Sequence, residues 1–156
     1  MNYDIAIISD ERYNFNYSYC LNYNLNIYLF NKASIFLKEK NILHFNLIII
    51  DIIMTEMTGI EFLKRILERN EIYKEIPILF FSKLAQDREV CKMLSNIIDS
   101  FPIGFLEKPI EDKIFLTTII DIVKNKNISN YNKFKYKKFT LMEYNLNIKE
   151  LKSGFK

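Results

Sequence analysis

The feature of this sequence that most limits its fold is a series of short apolar runs, each of which ends at a polar residue. Runs that are apolar throughout and only a few residues long are typical of parallel strands buried on both faces of a sheet. The second run is the weakest. In chain order the runs span residues 5–8, 27–30, 47–50, 78–81 and 104–106.

Helical patterns separate these runs. They cover residues 32–41, 60–70, 86–98 and 111–123, each with apolar residues on one side. Residues 12–24 are rich in Asn and Tyr, which are poor helix formers, so we expect the first helix to be short or irregular. Regular alternation of strands and helices predicts an α/β fold with a doubly wound, five-stranded parallel sheet.

Composition excludes several kinds of site. The 156 residues include only 3 Gly, widely separated, so the chain cannot hold a GxGxxG turn or a GxxxxGK[ST] phosphate loop. With 1 His and 2 Cys far apart, it has no HExxH motif and no zinc-ribbon spacing. We expect His44 on a surface or in a loop, and Cys20 and Cys91 in packing roles.

Charge divides the chain into two parts. Residues 1–123 carry 13 Lys and Arg against 17 Asp and Glu, a net charge of −4, whereas residues 124–156 carry 9 Lys against 2 Glu, a net charge of +7. We therefore predict a domain over 1–123 and a basic linker or tail over 124–156. The tail has no helix-turn-helix pattern, so nucleic acid is not an expected partner. No membrane span or secretion signal is visible, which predicts a cytoplasmic protein.

Polar side chains follow the predicted strands at the edge where ligands bind in open parallel sheets. In the flavodoxin-like order 2-1-3-4-5, Asp10 and Asp51 face each other across the switch point, with Ser82 and Lys108 close by. Two carboxylates, a hydroxyl and an ammonium suit a hard cation together with a phosphoryl group.

Three segments of the chain resemble the receiver domain of bacterial two-component response regulators, over about residues 3–123. Residues 47–59 resemble the strand, acceptor aspartate and following loop of that family. Residues 77–82 resemble its fourth strand, which ends in a Ser/Thr switch residue. Residues 104–109 resemble its fifth strand, with an aromatic switch residue and a Lys-Pro pair.

The resemblance implies a role for each matching residue. Asp51 would be the phospho-acceptor, supported by Ser82 and Lys108, and Phe105 would be the aromatic switch. The Lys108–Pro109 bond would be cis. Magnesium would be held by Asp10, Asp51 and the backbone carbonyl of Ile53.

Departures from the family pattern affect the same site. Ser9 stands where the family usually has an acidic residue, so we expect Mg²⁺ to bind weakly. Lys83 replaces a small residue after the switch position and would modulate the access of donors. Thr55 replaces the usual loop proline, and residues 95–102 look like an insertion.

We therefore predict a response regulator receiver that takes a phosphoryl group from a histidine kinase. It would signal to an effector, or by self-association, through the face of the helix at 86–98, the fifth strand and the last helix. It would be no enzyme beyond self-phosphorylation and self-dephosphorylation. The alternative is a receiver-like interaction module with little or no phosphorylation. An aspartate-dependent phosphatase is disfavoured because Ile53 replaces the second aspartate of its DxD motif.

Overall fold

The computed structural model of this protein describes residues 1–11, 17–40, 44–69, 75–82 and 103–125. Its centre is one five-stranded sheet in the order β2-β1-β3-β4-β5, with every neighbouring pair parallel. This confirms the predicted fold class and strand order. The strands are β1 (Tyr3–Ile8), β2 (Leu25–Phe30), β3 (Leu47–Asp51), β4 (Ile78–Ser82) and β5 (Ile103–Glu107).

Four helices belong to the described part of the chain. They are α1 (Tyr17–Asn22), α2 (Ala33–Leu37), α3 (Gly59–Arg69) and α4 (Asp112–Asn125). The first has 6 residues in the described part of the chain, and residues 12–16 of the predicted helix lie outside it. The second has 5 residues instead of the predicted ten or so, and the side chain of its N-cap residue Lys32 accepts no hydrogen bond from the first turn.

Some predictions concern residues that the structure does not describe. The helix at 86–98, the insertion at 95–102, Cys91 and the tail from residue 126 onward all lie outside the described ranges. The helix α4 continues to Asn125, two residues past the predicted domain boundary. The division at residue 123 therefore remains a prediction.

The strand residues alternate between two separate cores. In β3, Ile48 and Ile50 belong to the core under α2 and α3, whereas Leu47 and Ile49 belong to the core under α1 and α4. All four side chains are fully buried. Because successive residues of a strand point to opposite faces, continuous apolar runs are what a sheet covered on both faces requires.

Aromatic contacts anchor the helices in both cores. Phe36 of α2 packs against Phe62 of α3 with ring centroids 5.4 Å apart. On the other face, Phe81 of β4 stacks on Phe115 of α4 at 4.8 Å with an interplanar angle of 18°. The stacked pair fixes α4 beside the carboxyl end of β4. Cys20 is buried in this second core, as predicted.

The strand β2 lies at the edge of the sheet and is only partly covered. Tyr28 and Leu29 are 42% and 48% exposed. This partial exposure explains why the second apolar run is the weakest of the five. His44 is exposed beside this strand, with its ring centroid 6.0 Å from that of Tyr28, in agreement with its predicted surface position.

Gly59 allows α3 to start directly against the end of β3. Its backbone N–H donates to the carbonyl of Ile52 at 2.8 Å. A Cβ atom at this position would lie 2.5 Å from the backbone oxygen of Asp51 and 2.8 Å from Cγ2 of Ile50. Such distances are shorter than van der Waals contact, so only glycine fits without a shift of the helix or the strand.

We expect Gly59→Ala to lower the free energy of unfolding by about 1–3 kcal/mol, because the added methyl group overpacks this contact. Chemical denaturation of the variant and the native chain measures the difference. Lys64→Ala, on the exposed side of the same helix, is the control and should change stability by less than about 0.5 kcal/mol. Equal stability of Gly59→Ala and the native chain would contradict the close packing.

Candidate functional site

The candidate site lies at the carboxyl edge of the sheet, where β1, β3 and β5 end. The strands β1 and β3 are neighbours, with Ile8 paired to Ile50. Ser9 and Asp51, each one residue further along, therefore come side by side. The hydroxyl of Ser9 donates to Oδ2 of Asp51 at 3.0 Å.

Asp51 is a buried carboxylate whose two oxygens both accept hydrogen bonds. Its side chain is 2% exposed. Oδ2 accepts from Nζ of Lys108 at 2.7 Å as well as from Ser9, and Oδ1 accepts from the backbone N–H of Ile53 at 3.2 Å. Hydrogen bonds from charged and neutral donors together reduce the cost of burying this group.

Lys108 reaches Asp51 from the end of β5. Its ammonium lies 5.0 Å from the ring centroid of Phe81 and forms a second ion pair with Glu11, with Nζ 2.9 Å from Oε2. The lysine side chain is 9% exposed, whereas that of Glu11 is 56% exposed. The Lys108–Pro109 bond is cis, as predicted. One buried cation is thus shared between a buried and an exposed carboxylate.

Burial raises the pKa of Asp51 above its ordinary value. The hydrogen bond and charge of Lys108, and then the hydrogen bond from Ser9, act in the opposite direction without cancelling the effect of burial. The negative charge of Glu11 adds to the rise. Asp51 is therefore easier to protonate in the folded protein than in the unfolded chain.

Asp10 is exposed and is held by the loop that follows β3. Its Oδ2 accepts two hydrogen bonds from Thr55, one from the backbone N–H at 2.8 Å and one from the hydroxyl at 3.1 Å. Both residues also line an open cleft between this loop and the start of α2. Asp10 thus lines the cleft, and its neighbour in the chain, Ser9, is bonded to Asp51.

The structure brings some of the predicted site residues together and leaves others undescribed. Ser9, Asp51 and Lys108 form one hydrogen-bonded group. Ser82 is the last residue of β4 and pairs with Glu107 of β5. The side chains of Ser82 and Phe105, and all of Lys83, lie outside the description, so their roles remain predictions.

Two residues of the site, Glu11 and Phe81, were not predicted from the sequence. Glu11 shares Lys108 with Asp51, and the ring of Phe81 lies beside the lysine. Glu11 is the third polar residue in a row after β1, which is a signal that the sequence does contain. Phe81 is apolar and stands in a strand, so its contact with a cation has no sequence signal apart from its position before Ser82.

The donor atoms at this edge suit a weakly held magnesium ion. Among the described residues, no three His, Cys, Asp or Glu side chains form a group that could hold a metal. Two carboxylates, Asp10 and Asp51, nevertheless follow adjacent strands, and Mg²⁺ in proteins often takes one or two carboxylates and keeps several waters. The carbonyl of Ile53 remains a predicted third ligand.

Sequence comparison identifies the family. The profile of the response regulator receiver domain matches residues 5–120, and the chain belongs to that family. Receiver domains are signalling domains, generally not enzymes in the usual sense, and they interact with histidine kinases and effectors. They generally bind Mg²⁺ at an acidic pocket. No curated protein sequence matches the chain.

Solved structures with the same fold include three receiver domains. The BeF₃-activated receiver domain of DrrB from Thermotoga maritima has a TM-score of 0.59 at 17% identity, over 80% of this chain and 99% of that one. The chemotaxis regulator CheY4 of Vibrio cholerae gives 0.58 at 19%, over 76% and 97%. The non-phosphorylated HemR receiver domain of Leptospira biflexa gives 0.57 at 17%, over 82% and 95%. At these identities the likeness concerns the fold.

None of the helices in the described ranges is both long and apolar enough to cross a membrane.

We expect Asp51→Asn to raise the free energy of unfolding at pH 7 by on the order of 1 kcal/mol, because it removes a buried charge while Lys108 keeps Glu11 as a partner. An acid whose pKa is raised by folding loses stability as the pH rises through that pKa. The advantage of the variant should therefore shrink as the pH falls towards 4.

Denaturant titrations of both proteins at pH 7 and pH 4 test this expectation. Glu68→Gln, which neutralises an exposed carboxylate of α3, is the matched control and should show no comparable gain. A variant less stable than the native chain at pH 7 would mean that the ion pair with Lys108 outweighs the cost of burial.

Proposed function

We propose that this chain is a response regulator receiver that accepts a phosphoryl group from a histidine kinase on Asp51. The observation that carries the proposal is the buried carboxylate of Asp51, 2.7 Å from the ammonium of Lys108. A carboxylate at a strand end beside a fixed cation has both the nucleophile and the charge that phosphoryl transfer needs.

In the proposed reaction, a carboxylate oxygen of Asp51 forms a bond to phosphorus while the bond from phosphorus to the donor breaks. The product is an acyl phosphate, and the donor leaves with the bonding electrons. Lys108 then pairs with an oxygen of the phosphoryl group, which carries more negative charge than the carboxylate did. Magnesium, when bound by Asp10 and Asp51, would supply further positive charge to the same oxygens.

Asp51 must be ionised to act as the nucleophile. Two features of the site have opposite effects on its ionisation. Burial favours the protonated form, whereas Lys108 and Ser9 favour the carboxylate. The lysine therefore has a role before the donor arrives as well as after transfer. In this proposal it keeps a buried acid reactive at neutral pH.

The remaining assignments belong to the same proposal. The hydroxyl of Ser82 would bind a phosphoryl oxygen, and Phe105 would respond to it, so that signalling proceeds through β5, α4 and the segment at 86–98. Lys83 would bias which donors reach the site. Residues 124–156 would form a basic appendage to the receiver.

Phosphorylation at Asp51 is tested by intact-mass measurement after incubation of the full chain with acetyl phosphate, with and without Mg²⁺. We expect one phosphoryl group on the native chain and none on Asp51→Asn. Asp112→Asn removes an exposed carboxylate at the start of α4 and should leave the adduct unchanged. A stoichiometric adduct on Asp51→Asn would show that the acceptor is another residue.

A second candidate function is a receiver-like interaction module that works without phosphorylation. One observation favours it: both oxygens of Asp51 already accept hydrogen bonds, from Lys108, Ser9 and the backbone N–H of Ile53. A native chain that gains no adduct from either acetyl phosphate or phosphorylated kinases would support this alternative over the first proposal.

Position 9 sets the charge available to a cation. We expect Ser9→Asp to tighten Mg²⁺ binding by on the order of tenfold, because hard cations are held largely by the charge of their ligands. Calorimetric titration of the native chain and the variant measures the change. Ser9→Asn is the control, because asparagine has nearly the size of aspartate but carries no charge. Equal or weaker affinity in Ser9→Asp would place residue 9 outside the metal site.

A further inference from the structure

Thr55, in the loop after β3, forms two hydrogen bonds with Asp10. Its backbone N–H and its hydroxyl both donate to one atom, Oδ2 of Asp10, at 2.8 and 3.1 Å. The two residues are 45 positions apart in the sequence, and both are exposed. An exposed aspartate would otherwise sample several rotamers.

Two donors on one oxygen fix the orientation of a carboxylate. With Oδ2 tied to Thr55, rotation about the side-chain bonds of Asp10 is restricted. Its second oxygen, Oδ1, accepts no hydrogen bond from any residue in the described ranges. The contact therefore leaves one oxygen of Asp10 available for a ligand in a fixed position.

The backbone contribution depends on the residue type at position 55. A proline there would have no N–H and no hydroxyl, so it could make neither bond. Serine could make both, and valine could make only the backbone bond. The side chain of Thr55 therefore adds a hydrogen bond that its closest apolar replacement lacks.

We propose that Thr55 is a positioning residue, which orients Asp10 so that Oδ1 is ready to bind a divalent cation. The inference rests on the magnesium site of the proposed function. Ligating carboxylates are commonly hydrogen-bonded through their other oxygen, and loss of such support weakens metal binding. Fixing Asp10 in advance also reduces the conformational entropy that cation binding would have to overcome.

The orientation of Asp10 matters more here because the site offers little negative charge to a cation. Ser9 supplies a hydroxyl, which it donates to Asp51, and the ammonium of Lys108 already lies against Asp51. Asp10 is the residue next to Ser9, and no Lys or Arg of the described residues pairs with it. Its orientation therefore decides how well a weak site holds its ion.

The test measures binding of Mg²⁺ to the unphosphorylated full chain by calorimetry, and of Mn²⁺ by paramagnetic broadening of solvent and protein NMR signals. We expect Thr55→Val to weaken binding about threefold to tenfold, less than in buried metal sites because Asp10 is exposed. Thr55→Pro should weaken it further, and Thr55→Ser should restore the native affinity.

Thr58→Val is the matched control. Thr58 lies in the same loop, but its hydroxyl accepts a hydrogen bond from the backbone N–H of Glu61 in the first turn of α3. Its replacement should lower thermal stability through the loss of this helix cap and leave cation affinity unchanged. A role of Thr55 in loop stability alone would instead make the two valine variants behave alike.

Each outcome separates this inference from the proposed function. Unchanged or tighter cation binding in both Thr55→Val and Thr55→Pro would overturn it, even if Asp51 still accepts phosphate. Weaker binding in Thr55→Ser, to the level of Thr55→Val, would also overturn it. A native chain that binds neither ion and gains no adduct at Asp51 would overturn both the positioning role and the phospho-acceptor assignment.

Discussion

The ion pair between Asp51 and Lys108 is the interaction on which the site depends. It joins the end of β3 to the residue after β5, across the intervening strand β4, and both partners are largely removed from water. Removing two charges from water is costly, and the pair is tolerated because hydrogen bonds from Ser9 and Ile53 satisfy the remaining acceptor sites of the carboxylate. The parallel order of the sheet supplies the geometry, since it places the ends of these strands along one edge.

This arrangement has a cost in stability. A buried apolar side chain in place of Asp51 would avoid the desolvation that raises its pKa. The surrounding residues limit the cost in different ways: Glu11 shares the charge of Lys108 at the surface, and the ring of Phe81 lies beside the ammonium. Within the described residues, the buried polar or charged side chains are Ser9 and Asp51, at this edge, and Thr118 of α4, so the cost of burying a charge falls at the edge.

Much of this structure could be predicted from the sequence, and the remainder has identifiable physical reasons. Buried strands such as β3 are continuous runs of apolar residues in the sequence. Asp51 is conspicuous because it is the charged residue that ends such a run. The lysine of a Lys-Pro pair after β5 was equally distinctive. By contrast, the contacts of Glu11 and Thr55 depend on side-chain and loop geometry over 45 or more residues of separation, which no local pattern encodes. The length of α2 was overestimated because apolar spacing says little about where a helix without a capping side chain ends.

The alternation of side chains in β3 makes the two faces of the domain unequal. Asp51 has the same parity as Leu47 and Ile49, and its register partner in β4 is Phe81, which stacks on Phe115 of α4. The side chain of Asp51 therefore lies on the face of the sheet that α4 covers. The aromatic cluster under α2 and α3 lies on the opposite face of the sheet from the side chain of Asp51. A single-residue shift of β3 would turn Asp51 towards the core under α2 and α3 and exchange the faces of its apolar neighbours.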